Sequence, residues 1–253
     1  MKIALLQYNP VWENKKGNQE KILSLTNDLP KDVDILVLPE MTLTGFTMKS
    51  AMFAESLNGE STTFFSELAK NHKVNVFAGM IQGIDGGTYN TLLHYNELGE
   101  IIAEYRKIHP FSYSGEDVHY RKGNETIITK VKDAKIGLSI CYDLRFPELY
   151  RRYGKERVDI MINIANWPVT RIMHWRTLLK ARAIENQCFM IGVNRVGDDP
   201  KLKYNGFSSI FTPMGDEVVA IENEEKVIIA EIDLGEVKSI QGSLPFLNDI
   251  RLI

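Results

Sequence analysis

Short apolar runs alternate along this chain with stretches whose apolar residues recur at helical spacing. The runs read as strands: Ile3 to Tyr8, Asp34 to Leu38, Val74 to Met80, Thr91 to Asn96, Ile101 to Tyr105, Ala134 to Cys141, Asp159 to Ala165, Phe189 to Asn194, Ser208 to Thr212 and Val227 to Ile232. Helical spacing joins Asn18, Ile22, Leu25 and Leu29, then Phe64, Phe65, Leu68 and Ala69, then Ile172, Trp175, Leu179 and Ala183. Pro147 and Glu148 look like the first turn of a further helix, where proline is tolerated and an acid is favoured. Asn96 to Gly99 reads as a turn between consecutive strands. Gly83 to Gly87 reads as a hairpin turn rather than a phosphate loop, because no helical pattern follows it. Helices between apolar strands predict an α/β layered fold. The strands that follow one another without a helix fit two stacked sheets with helices outside better than a purely doubly wound sheet.

Chemistry collects at three strand ends. Leu36-Val37-Leu38-Pro39-Glu40 places a carboxylate after a buried strand, where α/β sheets gather their sites. Tyr105-Arg106-Lys107-Ile108-His109-Pro110 ends another strand in charge. Taken alone, each reads more readily as a solvated strand end. Cys141 closes a third strand and faces a strand-to-helix turn ahead of Pro147 and Glu148. Helix N-terminal amides or a neighbouring lysine there would lower a thiol pKa and prepare a nucleophile. Cys188, with no charge beside it, reads as a buried core cysteine. His174, next to Trp175, reads as a packed or hydrogen-bonded residue.

Composition narrows the function. The chain has 253 residues, enough for one large domain or two small ones. No repeat or linker divides it, and Lys201 to Lys203 reads as a surface loop, so one domain over 1–253 is favoured. Lys and Arg number 30 against 33 Asp and Glu, a net charge of −3, which leaves no basic field for nucleic acid. No run approaches the ~18 apolar residues of a membrane span, and the N-terminus turns polar too soon for a secretory signal. Two cysteines make no disulfide scaffold and suit a reducing, cytoplasmic home. The five histidines lack metal-ligand spacing, and no serine-hydrolase elbow is present.

Together the three strand ends resemble the nitrilase, or carbon–nitrogen hydrolase, superfamily. The matching segments are Leu38-Pro39-Glu40-Met41, Arg106-Lys107-Ile108-His109 and Cys141-Tyr142-Asp143-Leu144-Arg145-Phe146-Pro147-Glu148. The likeness continues through Ala165-Asn166-Trp167-Pro168, His174-Trp175 and Ala181 to Gln187. Thr44-Gly45-Phe46-Thr47-Met48 and Ser114 to Tyr120 resemble the ω-amidase branch, which hydrolyses 2-oxoglutaramate. Tyr142-Asp143 stands where true nitrilases more often carry Trp-Glu, and Pro110 where the family often has Leu.

The resemblance implies a four-layer αββα sandwich, a homodimer or dimer-based oligomer, no metal and no organic cofactor. It implies that Cys141 attacks an amide carbonyl to form a thioester, that Lys107 and the backbone N–H of Tyr142 stabilise the oxyanion, and that Glu40 moves the protons. Glu116 matches a second family glutamate that orients the lysine or the substrate amide. Desolvation is expected to raise the pKa of Glu40 against the pull of Lys107. For the carboxylate end of the substrate Arg171 is the first candidate and Arg145 the second, because arginine grips carboxylates bidentately. Asn166 lies at the same strand end, and Trp167 and Phe46 would form apolar walls. The expected activity is hydrolysis of the terminal amide of 2-oxoglutaramate or 2-oxosuccinamate. Its rivals are another linear-amide, carbamoyl or nitrile hydrolase on the same scaffold, and a non-catalytic interaction protein that kept the fold.

Overall fold

Alternating side chains along the first strand set the layering. The computed structural model describes residues 1–252. In β1 (Lys2–Gln7), Ile3 and Leu5 face one apolar cluster while Ala4 and Leu6 face another, as the two-residue period of a strand requires. β1 belongs to a six-stranded sheet with β2 (Ile35–Val37), β3 (Asn75–Ile84), β4 (Gly87–Tyr95), β5 (Ile101–Arg106) and β13 (Lys226–Glu231), in the order β13-β1-β2-β3-β4-β5. A seven-stranded sheet holds β6 (Ile128–Val131), β7 (Ala134–Ile140), β8 (Ile160–Ala165), β9 (Phe189–Asn194), β10 (Val196–Asp198), β11 (Lys203–Phe211) and β12 (Glu217–Glu222).

The outer face of the first sheet, with Leu36, Val76 and Leu93, buries Ile22 of α1 (Lys15–Thr26) and Phe64, Phe65 and Leu68 of α3 (Glu60–His72). Its inner face, with Val37, Phe77 and Tyr105, packs on Leu138, Ile140 and Ile162 of the second sheet. Beyond that sheet lie Leu149 and Tyr153 of α5 (Pro147–Lys155), and Trp175 and Leu179 of α6 (Ile172–Asn186). The result is an αββα sandwich, as the resemblance implies. The short helices α2 (Ser50–Phe53) and α4 (Glu116–His119) lie in loops, and α7 (Leu234–Ser243) follows β13.

Some boundaries differ from the sequence pattern. Leu29 lies beyond α1, which stops at Thr26 ahead of Pro30. β7 ends at Ile140, and Cys141 begins a 3₁₀ turn through Arg145 instead of closing the strand. β6, β10 and β12 carry no strong apolar run and escaped the pattern, and β11 begins at Lys203, well before Ser208. The segment at Lys201 is therefore the tip of a β10–β11 hairpin. The hairpin turn between β3 and β4 is as expected. Asp85 and Gly86 both take positive φ, 47° and 70°, which suits a tight turn matched to the strand twist.

The parallel pairs β1–β2–β3 and β7–β8–β9 each point their carboxyl ends to one edge. β5 returns to the direction of β3 after the two antiparallel pairings through β4. Glu40, Lys107, Cys141 and Asn166 follow β2, β5, β7 and β8, so four separate strands deliver them to one rim. Gly79 of β3 supports this rim from below. A Cβ there would lie 2.6 Å from the Met41 nitrogen and 2.9 Å from Cα of Glu40. Backbone cannot swing aside as a side chain can. Gly79→Ala is expected to cost about 1–3 kcal/mol, read as a lowered urea midpoint with an unchanged slope.

Candidate active site

A buried ammonium organises the rim. Lys107 is 1% exposed and Glu116 fully buried. The Nζ of Lys107 donates to Oε1 of Glu40 at 2.8 Å and to both oxygens of Glu116, at 3.0 Å and 2.8 Å. Nδ2 of Asn90 donates to Oε1 of Glu40 at 2.7 Å and Oε1 of Glu116 at 2.9 Å. The other oxygen of Glu40 accepts from the backbone N–H of Asn166 at 2.9 Å and its Nδ2 at 3.2 Å. The backbone N–H of Phe111 donates to Oε2 of Glu116 at 2.5 Å. The charges are therefore paired and multiply hydrogen-bonded, the condition for tolerating ions in an interior.

Cys141 sits beside this cluster with φ of +46°, in the left-handed region that an L residue rarely occupies. Its thiol is 4.0 Å from the carbonyl oxygen of Asn166. It lines a cavity of about 350 Å³ together with Phe46, Phe111, Tyr142, Asn166, Trp167, Arg145 and Arg171. Arg145 lies over the Trp167 ring at 4.9 Å and Arg171 over Phe111 at 5.4 Å. The ring of Phe46 stands 5.4 Å from Nζ of Lys107. Every site residue expected from the sequence thus lies in the ion cluster or on the cavity wall. His174 is exposed and meets Arg145 through Nδ1 at 3.2 Å. Cys188 is fully buried in the core.

The protonation pattern differs from the expectation. Burial raises the pKa of Glu40, but the charge and hydrogen bond of Lys107 outweigh it and leave the carboxyl below its ordinary value. Burial works against the charge on Lys107, yet Glu116 and Glu40 hold the ammonium well above its usual range. Burial and the neighbouring Glu40 raise Glu116 against the pull of Lys107. For Cys141, burial and then Glu40 push the thiol well above its ordinary value, and Lys107 offsets them only in part. The expected depressed thiol is therefore corrected. The resting site pairs a neutral thiol with an ionised Glu40.

Several participants were missed by sequence reading. Asn90 lies inside β4 with nothing around it to mark it. Trp12, Thr47, Asp199 and Leu202 also line the cavity from distant loops, and Tyr204 from the start of β11. Asp143 is fully buried between the segments that carry Lys107 and Cys141. Its place in the Cys141 to Glu148 stretch was visible, but its partners were not.

Comparison with known proteins agrees with this geometry. The sequence model of the family described as carbon-nitrogen hydrolase matches residues 2–241. A 2-oxoglutaramate amidase of Bacillus subtilis (strain 168) is 34% identical over 251 residues, 98% of this chain and 97% of its own. A 2-oxoglutaramate amidase of Paenarthrobacter nicotinovorans is 37% identical over 247 residues, covering 92% of this chain and 84% of its own. A CN-hydrolase superfamily protein from Xanthomonas campestris, with an arsenic adduct in its active site, superposes with a TM-score of 0.96 at 30% identity. That match covers 100% of this chain and 98% of the other.

Removing the ammonium tests the cluster. Lys107→Met leaves two buried carboxylates facing each other, and loss of one partner of a buried pair costs about 3–5 kcal/mol. Without Lys107 both carboxyls take up protons more readily, so the folded variant binds more protons than its unfolded chain as pH falls through the raised pKa values. Its stability deficit against the wild type is expected to be largest near pH 8 and to shrink toward pH 5. Thermal midpoints across that range measure it, and a deficit independent of pH contradicts the cluster.

Proposed function

The chain belongs to the carbon–nitrogen hydrolase family and acts on carbon–nitrogen bonds of linear amides, and from there we propose that it is a thiol-dependent ω-amidase. Its substrate is the terminal amide of 2-oxoglutaramate or 2-oxosuccinamate, hydrolysed to the 2-oxo dicarboxylate and ammonia. The observation that carries this reading is the buried Lys107 ammonium held between Glu40 and Glu116, with Asn166 linking Glu40 to the Cys141 thiol.

The reaction follows from this arrangement. Sγ of Cys141 attacks the amide carbon while Glu40 takes the thiol proton. The oxyanion meets Lys107 and the backbone N–H of Tyr142, the second residue of a 3₁₀ turn whose first N–H groups have no partner within the turn. Each such donor is worth about 2.7–4 kcal/mol of barrier. The carbon–nitrogen bond breaks as Glu40 passes its proton to the leaving amine, and ammonia departs from a thioester. Water then attacks the thioester, Glu40 takes its proton, and collapse returns that proton to the thiolate and frees the acid. Glu116 holds Lys107 in place and neutralises it through the cycle. The pKa values of Glu40, Lys107, Glu116 and Cys141 belong to the group rather than to single residues.

Two guanidiniums face the far end of the substrate. Arg171 acts electrostatically on Arg145, whose pKa is lowered by burial and then by this neighbour. The acids of the same wall are engaged elsewhere. Glu13 accepts from Lys49 and Thr47. Asp199 accepts from the backbone of Lys201 and Leu202 and from Tyr204. The arginines therefore suit a substrate carboxylate, with Asn166, Trp167 and Phe46 enclosing the chain between the two ends. The same reading takes residues 1–253 as one domain, in a cytoplasmic enzyme with both cysteines free. It includes a homodimer packed through outer helices, where Met173 and Ile184 of α6 are 65% and 45% exposed.

Ammonia release from 2-oxoglutaramate by the wild type and by Cys141→Ala is the central test. The variant is expected to lose all turnover and to form no acyl adduct by mass spectrometry. Faster release from a nitrile or a carbamoyl compound overturns the substrate assignment. Arg171→Ala is expected to raise KM at least tenfold with a smaller change in kcat, and an unchanged KM removes Arg171 from the carboxylate site.

A further inference from the structure

One fully buried carboxylate stands outside the reaction just described and touches both of its principal segments. Asp143 has no exposed surface. Its Oδ1 accepts from the backbone N–H of His109 at 2.9 Å and meets Nδ1 of the same residue at 2.8 Å. Its Oδ2 accepts from the backbone N–H of Ile140 at 3.0 Å and from the Tyr105 hydroxyl at 2.8 Å. His109 lies two residues after Lys107, and Ile140 immediately precedes Cys141. The His109 ring also stacks on Phe146 at 3.8 Å, which closes the same link from the other side. One carboxylate thus bonds the exit of β5, in the first sheet, to the exit of β7, in the second.

This placement has a geometric consequence. Cys141 is held at a φ of +46°, a conformation that persists only where the surroundings over-determine it. The bond from Ile140 to Asp143 spans that residue and fixes the turn. The bonds to His109 fix the loop that leaves Lys107. Resting on the ω-amidase reading above, we propose that Asp143 is a positioning residue that sets the separation of the Cys141 sulfur from the Lys107 ammonium. It neither touches substrate nor exchanges a proton with it. A misplacement of about 1 Å in such a pair costs about a hundredfold in rate.

An asparagine cannot reproduce the link. All four contacts place donors or a ring nitrogen on the two carboxylate oxygens, and an amide NH₂ facing either backbone N–H loses that bond. Asp143→Asn is expected to lower kcat about a hundredfold with KM within threefold, and to slow acyl-enzyme formation in a single turnover by the same factor. Tyr105→Phe removes a donor from the same carboxylate but leaves both loops tied, and is expected to keep kcat within threefold. His109→Leu, at a partly exposed position, cuts the ring contact to Asp143 and the stack on Phe146 but keeps the backbone bond of residue 109. It is expected to lower kcat about tenfold with only a small drop in thermal midpoint, and it decides the question if Asp143→Asn does not fold. An Asp143→Asn or His109→Leu enzyme that folds with wild-type kcat overturns the proposal, as does a Tyr105→Phe loss equal to that of Asp143→Asn. If the wild type releases no ammonia from 2-oxoglutaramate, the substrate reading fails by itself. The same variants are then compared on the amide that does turn over.

Discussion

A buried ammonium between two buried carboxylates is the constraint on which the site depends. Lys107 contacts neither solvent nor bulk counterion, so its charge is tolerable only with Glu40 and Glu116 in place. Those two acids in turn need Lys107, Asn90, Asn166 and the backbone of Phe111 to satisfy their oxygens. None of these groups can be moved without stranding another. The packing of two sheets face to face brings them within reach, because their donors come from both sheets.

The same constraint sets the chemistry. A lysine beside a cysteine ordinarily favours a thiolate. Here Lys107 is already engaged by two carboxylates, and burial disfavours a further anion, so the thiol keeps its proton. Burial raises the pKa of Glu40, but the Lys107 charge and the hydrogen bonds from Lys107, Asn90 and Asn166 outweigh it. In the mechanism proposed above, a neutral thiol beside an ionised carboxylate is activated at the moment of attack. It needs no resting thiolate in a cavity lined by aromatic rings.

The strand pattern and the three strand-end motifs were legible in the sequence because each is local. Apolar runs mark buried strands whatever their partners, and Glu40, Lys107 and Cys141 each follow one. Asn90 was not legible, since an asparagine inside an apolar strand carries no signal until the loop after β2 and the short helix α4 place Glu40 and Glu116 within reach of its amide. β6, β10 and β12 were missed for a related reason. They are short or edge strands whose exposed faces blur the alternation.

By itself, the sequence determined the order of most elements, the layered α/β class, and which strand ends carry Glu40, Lys107 and Cys141, with Cys188 left to the core. Tertiary structure alone decided the protonation of that site, because a pKa depends on burial and on charges delivered by other strands. It also decided that Glu116 belongs to Lys107 rather than to solvent, and that Asp143 spans the exits of β5 and β7. The Asp143 link joins segments far apart in the chain, and only the closing of one sheet on the other sets it, while the Glu116 contact depends on how the loop after β5 folds back over Lys107.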